Sequence, residues 1–217
     1  EAIALAAILH LAQEAGARVH IRRISSAAAL EMLVAARASG INATCDVTIN
    51  HLHLTDADIG YFNPHARLDP PLRSSRDRDA LRAGLASGAI DALCSDHTPV
   101  DDDGKQVPFE EAEPGATGLE LLLPLCLKWA QESKLPLLTA LARVTNGPAK
   151  ILGRHEATLS VGQAADVCVF DPKAMAMVCR ENLKSQGRNT PFLGVELPGR
   201  VRYTLIDGVL AYDAGLS

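Results

Sequence analysis

The chain has 217 residues, 47% of them hydrophobic and 22% charged, with a net charge of −5 and a pI near 5.8. That length suits one large domain, or one domain with a small appendage. The acidic balance excludes the basic footprint expected of a nucleic-acid or anionic-membrane binder, and no apolar run is long enough to cross a bilayer.

In chain order, residues 1–15 have helical periodicity and stop near Gly16. "ARVHIRRIS" (17–25) predicts a strand. Ser25-Ser26 can cap the helix "SAAALEMLVAARAS", which ends before Gly40. "INATCDVTI" (41–49) is rich in β-branched residues and predicts a second strand. A long proline-containing loop follows, through "NPHARLDPPLR", and then a capped helix, "SSRDRDALRAGLASG". "AIDALCSD" predicts the third strand, and a second long loop (97–116) leads to the helical segments "TGLELLLPLCLKWAQES", "PLLTALARVT" and "NGPAKILG".

Alternating strands and helices predict a parallel α/β fold, whose chemistry sits where strands end and loops begin. From about Ser160 the texture changes to short β runs with Gly and Pro turns, "GQAADVCVFDP", "GRVRYTLIDG" and "VLAYD". The division expected is an α/β part over 1–157 and a β-rich appendage over 158–217. Loop 97–116, with three acids, a glycine and Lys105, has little to bury and is expected to be open or mobile. The five cysteines form no C-x-x-C pair, which fits buried reduced thiols in a cytoplasmic protein. The chain opens at Glu1 inside a helical pattern, without a signal peptide, and is expected to be part of a longer one.

Asp96 follows an apolar run and stands where a strand opens into a loop, a place from which a carboxylate can bind metal or move a proton. Strand alternation separates it from His97. The same alternation turns His20 away from Arg23, three residues on. His51 and His53, at i and i+2, would share a face at a strand end, the geometry of a metal pair; two packing histidines around Leu52 fit equally. Asp101, Asp102 and Asp103 look like a solvated acidic turn, without the spacing of a calcium loop.

"VTINHLHLTDADI", "LDPPLRSSRDRDALRAGLASGAIDALCSDHTP", "EPGATGLELLLPL" and "NTPFLG", in this order, resemble the bacterial long-chain dihydroorotases of the amidohydrolase superfamily. The resemblance implies the later half of a (β/α)8 barrel plus a small β-rich appendage. It also implies zinc-dependent hydrolysis of a cyclic amide, between dihydroorotate and carbamoyl aspartate, in pyrimidine synthesis. By the same resemblance, Asp96 is the metal-binding, proton-relaying carboxylate, Asp69 stands where the family has a substrate-binding Asn, and Gly115 gives a backbone contact to substrate. The family's own H-x-H pair belongs to a first strand outside this chain, so His51-Leu52-His53 matches a later loop instead.

Three positions depart from the family pattern. Arg23 replaces the metal-binding His of "H-x-x-H-x-S", and a guanidinium has no lone pair for a metal. Asp69 replaces the Asn of "N-P-P-L-R", and Val100 replaces the His of "D-H-A-P-H" that bonds the substrate carboxylate. The expectation is an Arg23–Asp96 pair in the vacated metal place, with no zinc held by this chain alone. The resemblance then extends to the non-catalytic dihydroorotase-like chains that assemble with aspartate carbamoyltransferase; a homo-oligomer is expected as well. Two alternatives stand beside this. One is an active zinc-dependent dihydroorotase acting on the pyrimidine precursor; the other is a relative acting on a different ring.

Overall fold

The computed structural model describes residues 1–154 and 158–215. Three parallel strands, β1 (Val19–Ile21), β2 (Ala43–Thr48) and β3 (Ala92–Cys94), pair in that order. The parallel expectation for all three segments holds. Helix α1 (Ala2–Ala15) precedes β1, α2 (Ala27–Ala38) joins β1 to β2, and α4 (Ser75–Ser87) leads into β3. Ser26 and Ser74 cap α2 and α4 by accepting the Ala29 and Asp77 amides at 3.2 and 3.4 Å. Each strand is thus linked to the next by a helix, the repeating unit of a partial barrel.

The strands are shorter than their sequence patterns, for a local reason. The first ends before Arg23 (φ 56°) and the third before Asp96 (φ 48°). A left-handed residue cannot continue a ladder, and each turns the backbone outward at the carboxyl end of the sheet. The second strand runs into a five-residue helix, α3 (Ile49–His53), rather than into a loop. Beyond the long loop 97–116 come α5 (Leu122–Glu132), α6 (Leu137–Ala142) and α7 (Asn146–Ile151). Gly118, which precedes α5, could not carry a side chain: a Cβ there would lie 2.2 Å from the Ser95 carbonyl.

Strands β4 (Val167–Met177), β5 (Glu196–Ile206) and β6 (Val209–Asp213) form a separate antiparallel sheet. One core joins the two parts. Leu33, Val47, Leu85, Leu125 and Trp129 of the α/β part share it with Val178, Phe192 and Leu197 from the later segment. The boundary expected at 157/158 adjoins residues 155–157, which lie outside the described residues, as do 216 and 217. No described helix is long and apolar enough to cross a membrane. All five cysteines are free; Cys45 and Cys126 are buried, but Cys168 is exposed, against the expectation of buried thiols. Burial pushes the Cys45 and Cys126 thiols up to about 11 and about 12, so neither is a nucleophile at neutral pH.

Candidate functional site

The carboxyl ends of β1 and β3 bring Arg23 and Asp96 together. Arg23 Nη1 donates to Asp96 Oδ1 at 3.1 Å, and the carboxylate side chain is only 7% exposed. The same Nη1 donates to the Asp69 carbonyl at 2.8 Å. One guanidinium therefore ties the end of β3 to the loop that carries Asp69. The Asp69 carboxylate plays no part in this, and it forms no ion pair among the described residues.

The left-handed backbone at Arg23 costs about 1–3 kcal/mol unless its surroundings hold it. Asp46, near the end of β2, does so: its Oδ1 accepts the Arg23 backbone amide at 2.7 Å. The other oxygen of Asp46 accepts from His20 Nε2 at 2.9 Å, and the Cys94 thiol donates to Oδ1 at 3.3 Å. Asp46 is buried, so these partners replace its lost water. His20 meets Asp46 through its ring and Arg23 meets it through its backbone amide, while the Arg23 side chain goes to Asp96. The strand ends at Ile21 and the chain turns, so both residues meet one carboxylate. Asp46 was missed because it sits mid-strand in an ordinary β-branched run. The one available signal was its charge inside a segment otherwise fit for burial.

His97 points away from Asp96, as expected, but β3 ends at Cys94, before both residues, so strand alternation is not the cause. Its Nδ1 accepts the Gly118 and Leu119 amides, both at 3.2 Å. His51 and His53 are not a metal pair. They lie on a helix, where residues two apart point to nearly opposite sides. His51 bonds Thr48 Oγ1 and the Pro71 carbonyl at 2.9 and 3.1 Å. His53 donates from Nε2 to the Leu125 carbonyl at 2.9 Å. Burial lowers both imidazoles, His53 to about 4, so both pack as neutral rings.

Gly115 is buried, and its amide is spent on the Arg67 carbonyl at 3.0 Å, so that N–H is not open to a substrate. Its φ of 141° and a would-be Cβ 2.6 Å from the Thr98 carbonyl explain the glycine by packing. No hydrogen bond among the described residues links it to Asp96 or Asp69.

The expectation that loop 97–116 has little to bury is overturned. Lys105 is 4% exposed and Val100 5%. Lys105 Nζ donates to the carbonyls of Pro64, Arg67 and Glu113 at 3.1, 3.3 and 2.5 Å, which ties this loop to the one before α4. Burial, with Arg67 nearby, brings its ammonium down to about 8. The acidic turn is not wholly solvated either: Asp102 pairs with Arg180 and accepts from Asn189 Nδ2 at 3.3 Å.

These side chains do not fit a metal. Asp96 is the one carboxylate at the expected place, and a cation already holds it. Among the described residues no group of three or more His, Cys, Asp or Glu is arranged to bind an ion. A catalytic zinc needs three protein ligands and an open position. The arrangement can brace the rim of the sheet and present a guanidinium; it cannot activate water by itself.

Residues 1–212 match a profile of the amidohydrolase family. A dihydroorotase-like protein of Pseudomonas aeruginosa is 43% identical over 213 residues, covering 98% of this chain and 50% of that protein. A dihydroorotase of Geobacter sp. strain M21 is 41% identical over 215 residues, 99% of this chain and 51% of the relative. Among solved structures, L-hydantoinase (dihydropyrimidinase) from Arthrobacter aurescens superposes with a TM-score of 0.91 at 28% identity, over 98% of this chain and 48% of that one. The chain thus spans about half the length of the relatives it matches. Profile, relatives and fold agree with the partial barrel built from the strands above, and the chain belongs to the amidohydrolase family.

Proposed function

We propose that this chain is the carboxyl-terminal half of a dihydroorotase-family protein of pyrimidine synthesis whose catalysis is lost or weak. In this reading the protein serves as a structural partner of aspartate carbamoyltransferase, in the cytoplasm and as a homo-oligomer. The observation that carries the loss of catalysis is the Arg23–Asp96 contact at 3.1 Å. A fixed positive charge occupies the place where the family's hydrolytic metal needs a lone pair. The residues then keep the shape of the rim without its Lewis acid. The partner reading rests on the resemblance to non-catalytic dihydroorotase-like chains.

Two measurements on the full-length protein test it. Metal analysis with a dihydroorotate hydrolysis assay is expected to give neither stoichiometric zinc nor turnover. Sedimentation with aspartate carbamoyltransferase is expected to give one joint boundary. Stoichiometric zinc with turnover overturns the loss of catalysis and favours an active dihydroorotase completed by ligands from the other half. Two independent boundaries overturn the partnership alone.

A further inference from the structure

The opposite, amino-terminal end of the parallel sheet holds a cavity of about 500 Å³ that the function proposed above does not use. Arg18, Arg143 and Lys150 line it, with Asn42, Thr44 and Asp91. Asp91 is the only carboxylate among the lining residues, and it is already engaged. Its Oδ2 takes Arg37 Nη2 at 2.5 Å and the Cys45 amide at 2.9 Å. Arg18 reaches the carbonyls of Lys150 and Ile151, which anchors its guanidinium at the cavity. Neither Arg143 nor Lys150 forms an ion pair among the described residues. The Arg143 Nε is buried without an acceptor. Its guanidinium lies against Gly88, where a Cβ would stand 3.1 Å from Nη2. A buried guanidinium donor without an acceptor is costly, and a planar fork suits a carboxylate or phosphate.

The geometry points to an oxyanion site at the amino end of the sheet, in which Arg143 and Lys150 hold a carboxylate or phosphate group beside Arg18. That group has two possible sources, a free anion or an acidic side chain from the remainder of a longer protein. Thermal melts of the full-length protein separate them. Inorganic phosphate is titrated against chloride at matched ionic strength, on unmodified protein and on Lys150→Gln, Arg143→Gln and Arg143→Lys. For a free anion, saturating phosphate raises the melting temperature by about 2 °C or more. That rise is at least halved in Lys150→Gln and absent in Arg143→Gln. For an internal carboxylate, phosphate has no effect, Arg143→Gln lowers the melting temperature and Arg143→Lys restores most of it. The site is refuted if phosphate has no effect and the Gln and Lys variants of Arg143 behave alike. It is also refuted if phosphate stabilises Arg143→Gln as much as the unmodified protein. Lys150 is exposed, so its variant stays readable if Arg143→Gln does not fold.

Discussion

The two ends of the parallel sheet treat positive charge differently. At the carboxyl end Arg23 meets a carboxylate and a carbonyl, and Lys105 meets three carbonyls. At the amino end one arginine, Arg37, is fully engaged, by Asp91 and the carbonyls of Ala43 and Ala89, while Arg143 beside it has a donor without an acceptor. In parallel α/β barrels the carboxyl end is the chemical end, and here Arg23 and Lys105 are closed off there, although the Arg67 Nε in the loop that Lys105 binds is buried without an acceptor, as Arg143 Nε is. A catalytic rim keeps groups unsatisfied for a ligand to complete; a structural rim satisfies them internally. The closure of Asp96 by Arg23 is the physical content of the proposed loss of catalysis.

The strongest way to break the contrast is Arg23→Met, which leaves the Asp96 carboxylate buried without its cation. Removing one partner of a fully buried pair costs about 3–5 kcal/mol. Arg23 is one-third exposed (32%), so about 3 kcal/mol is expected by denaturant unfolding. Adding Asp96→Asn to Arg23→Met is expected to recover more than half of that. A loss under about 0.5 kcal/mol for Arg23→Met, the range of an ordinary surface change, means the pair does not brace the rim.

Acid supplies the next effect. His53 is held near 4 in the fold against 6.5 for an unperturbed imidazole, because burial disfavours its charged form. Between those values the unfolded chain binds the proton and the folded chain does not, so stability falls as pH drops from 6.5 toward 4. The loss at pH 5 is expected to be about 2 kcal/mol. His51 is lowered as well and acts in the same window. His53→Gln should flatten part of this slope without moving the neutral-pH baseline by a similar amount. An unchanged slope places the acid sensitivity elsewhere.

Arg37→Met probes the amino end, where it removes three donors from Ala43, Ala89 and Asp91. Arg37 and Asp91 are each about a quarter exposed, so water replaces some of what is lost. A cost of about 1–2 kcal/mol is expected from equilibrium unfolding. A cost matching that of Arg23→Met would erase the difference between the ends.

Much of the fold was legible because it depends on periodicity. The β-branched run 41–49 and the apolar run before Asp96 gave two of the parallel strands, and Ser26, Ser74 and Gly88 marked helix ends. The Arg23–Asp96 pair was legible through the resemblance, which puts a metal ligand at each of those two places. What stayed hidden depends on backbone turns that periodicity does not encode. The positive φ at Arg23 turns its backbone amide onto Asp46, a contact that alternation does not encode. The helix over Ile49–His53 undoes the shared face of its two histidines. Lys105 reads as a loop charge because its acceptors are backbone carbonyls from residues 8 to 41 positions away.

The smallest effect concerns Asp69, and it separates shape from chemistry. Its carbonyl holds Arg23, whereas its residue is exposed and its carboxylate is outside every ion pair among the described residues. Asp69→Asn keeps the carbonyl and is expected to change stability by less than about 0.5 kcal/mol. That neutrality makes it a clean step in a repair. Arg23→His with Asp69→Asn restores the family's residue types at two places and is expected to raise zinc affinity in the full-length protein, if its other half supplies ligands. Val100→His, the third change, meets a different obstacle. Val100 is 5% exposed, and its carbonyl accepts Asn189 Nδ2 at 2.8 Å, so an imidazole there must displace packed loop before it can reach a ligand. The double variant is therefore expected to gain metal without turnover. The triple variant is expected to gain turnover only if faster amide exchange shows that loop 97–116 has reopened. Turnover in the triple variant with unchanged exchange in that loop would mean that the closed loop is no barrier, and that the side chains at Arg23, Asp69 and Val100 are what separate this rim from a catalytic one.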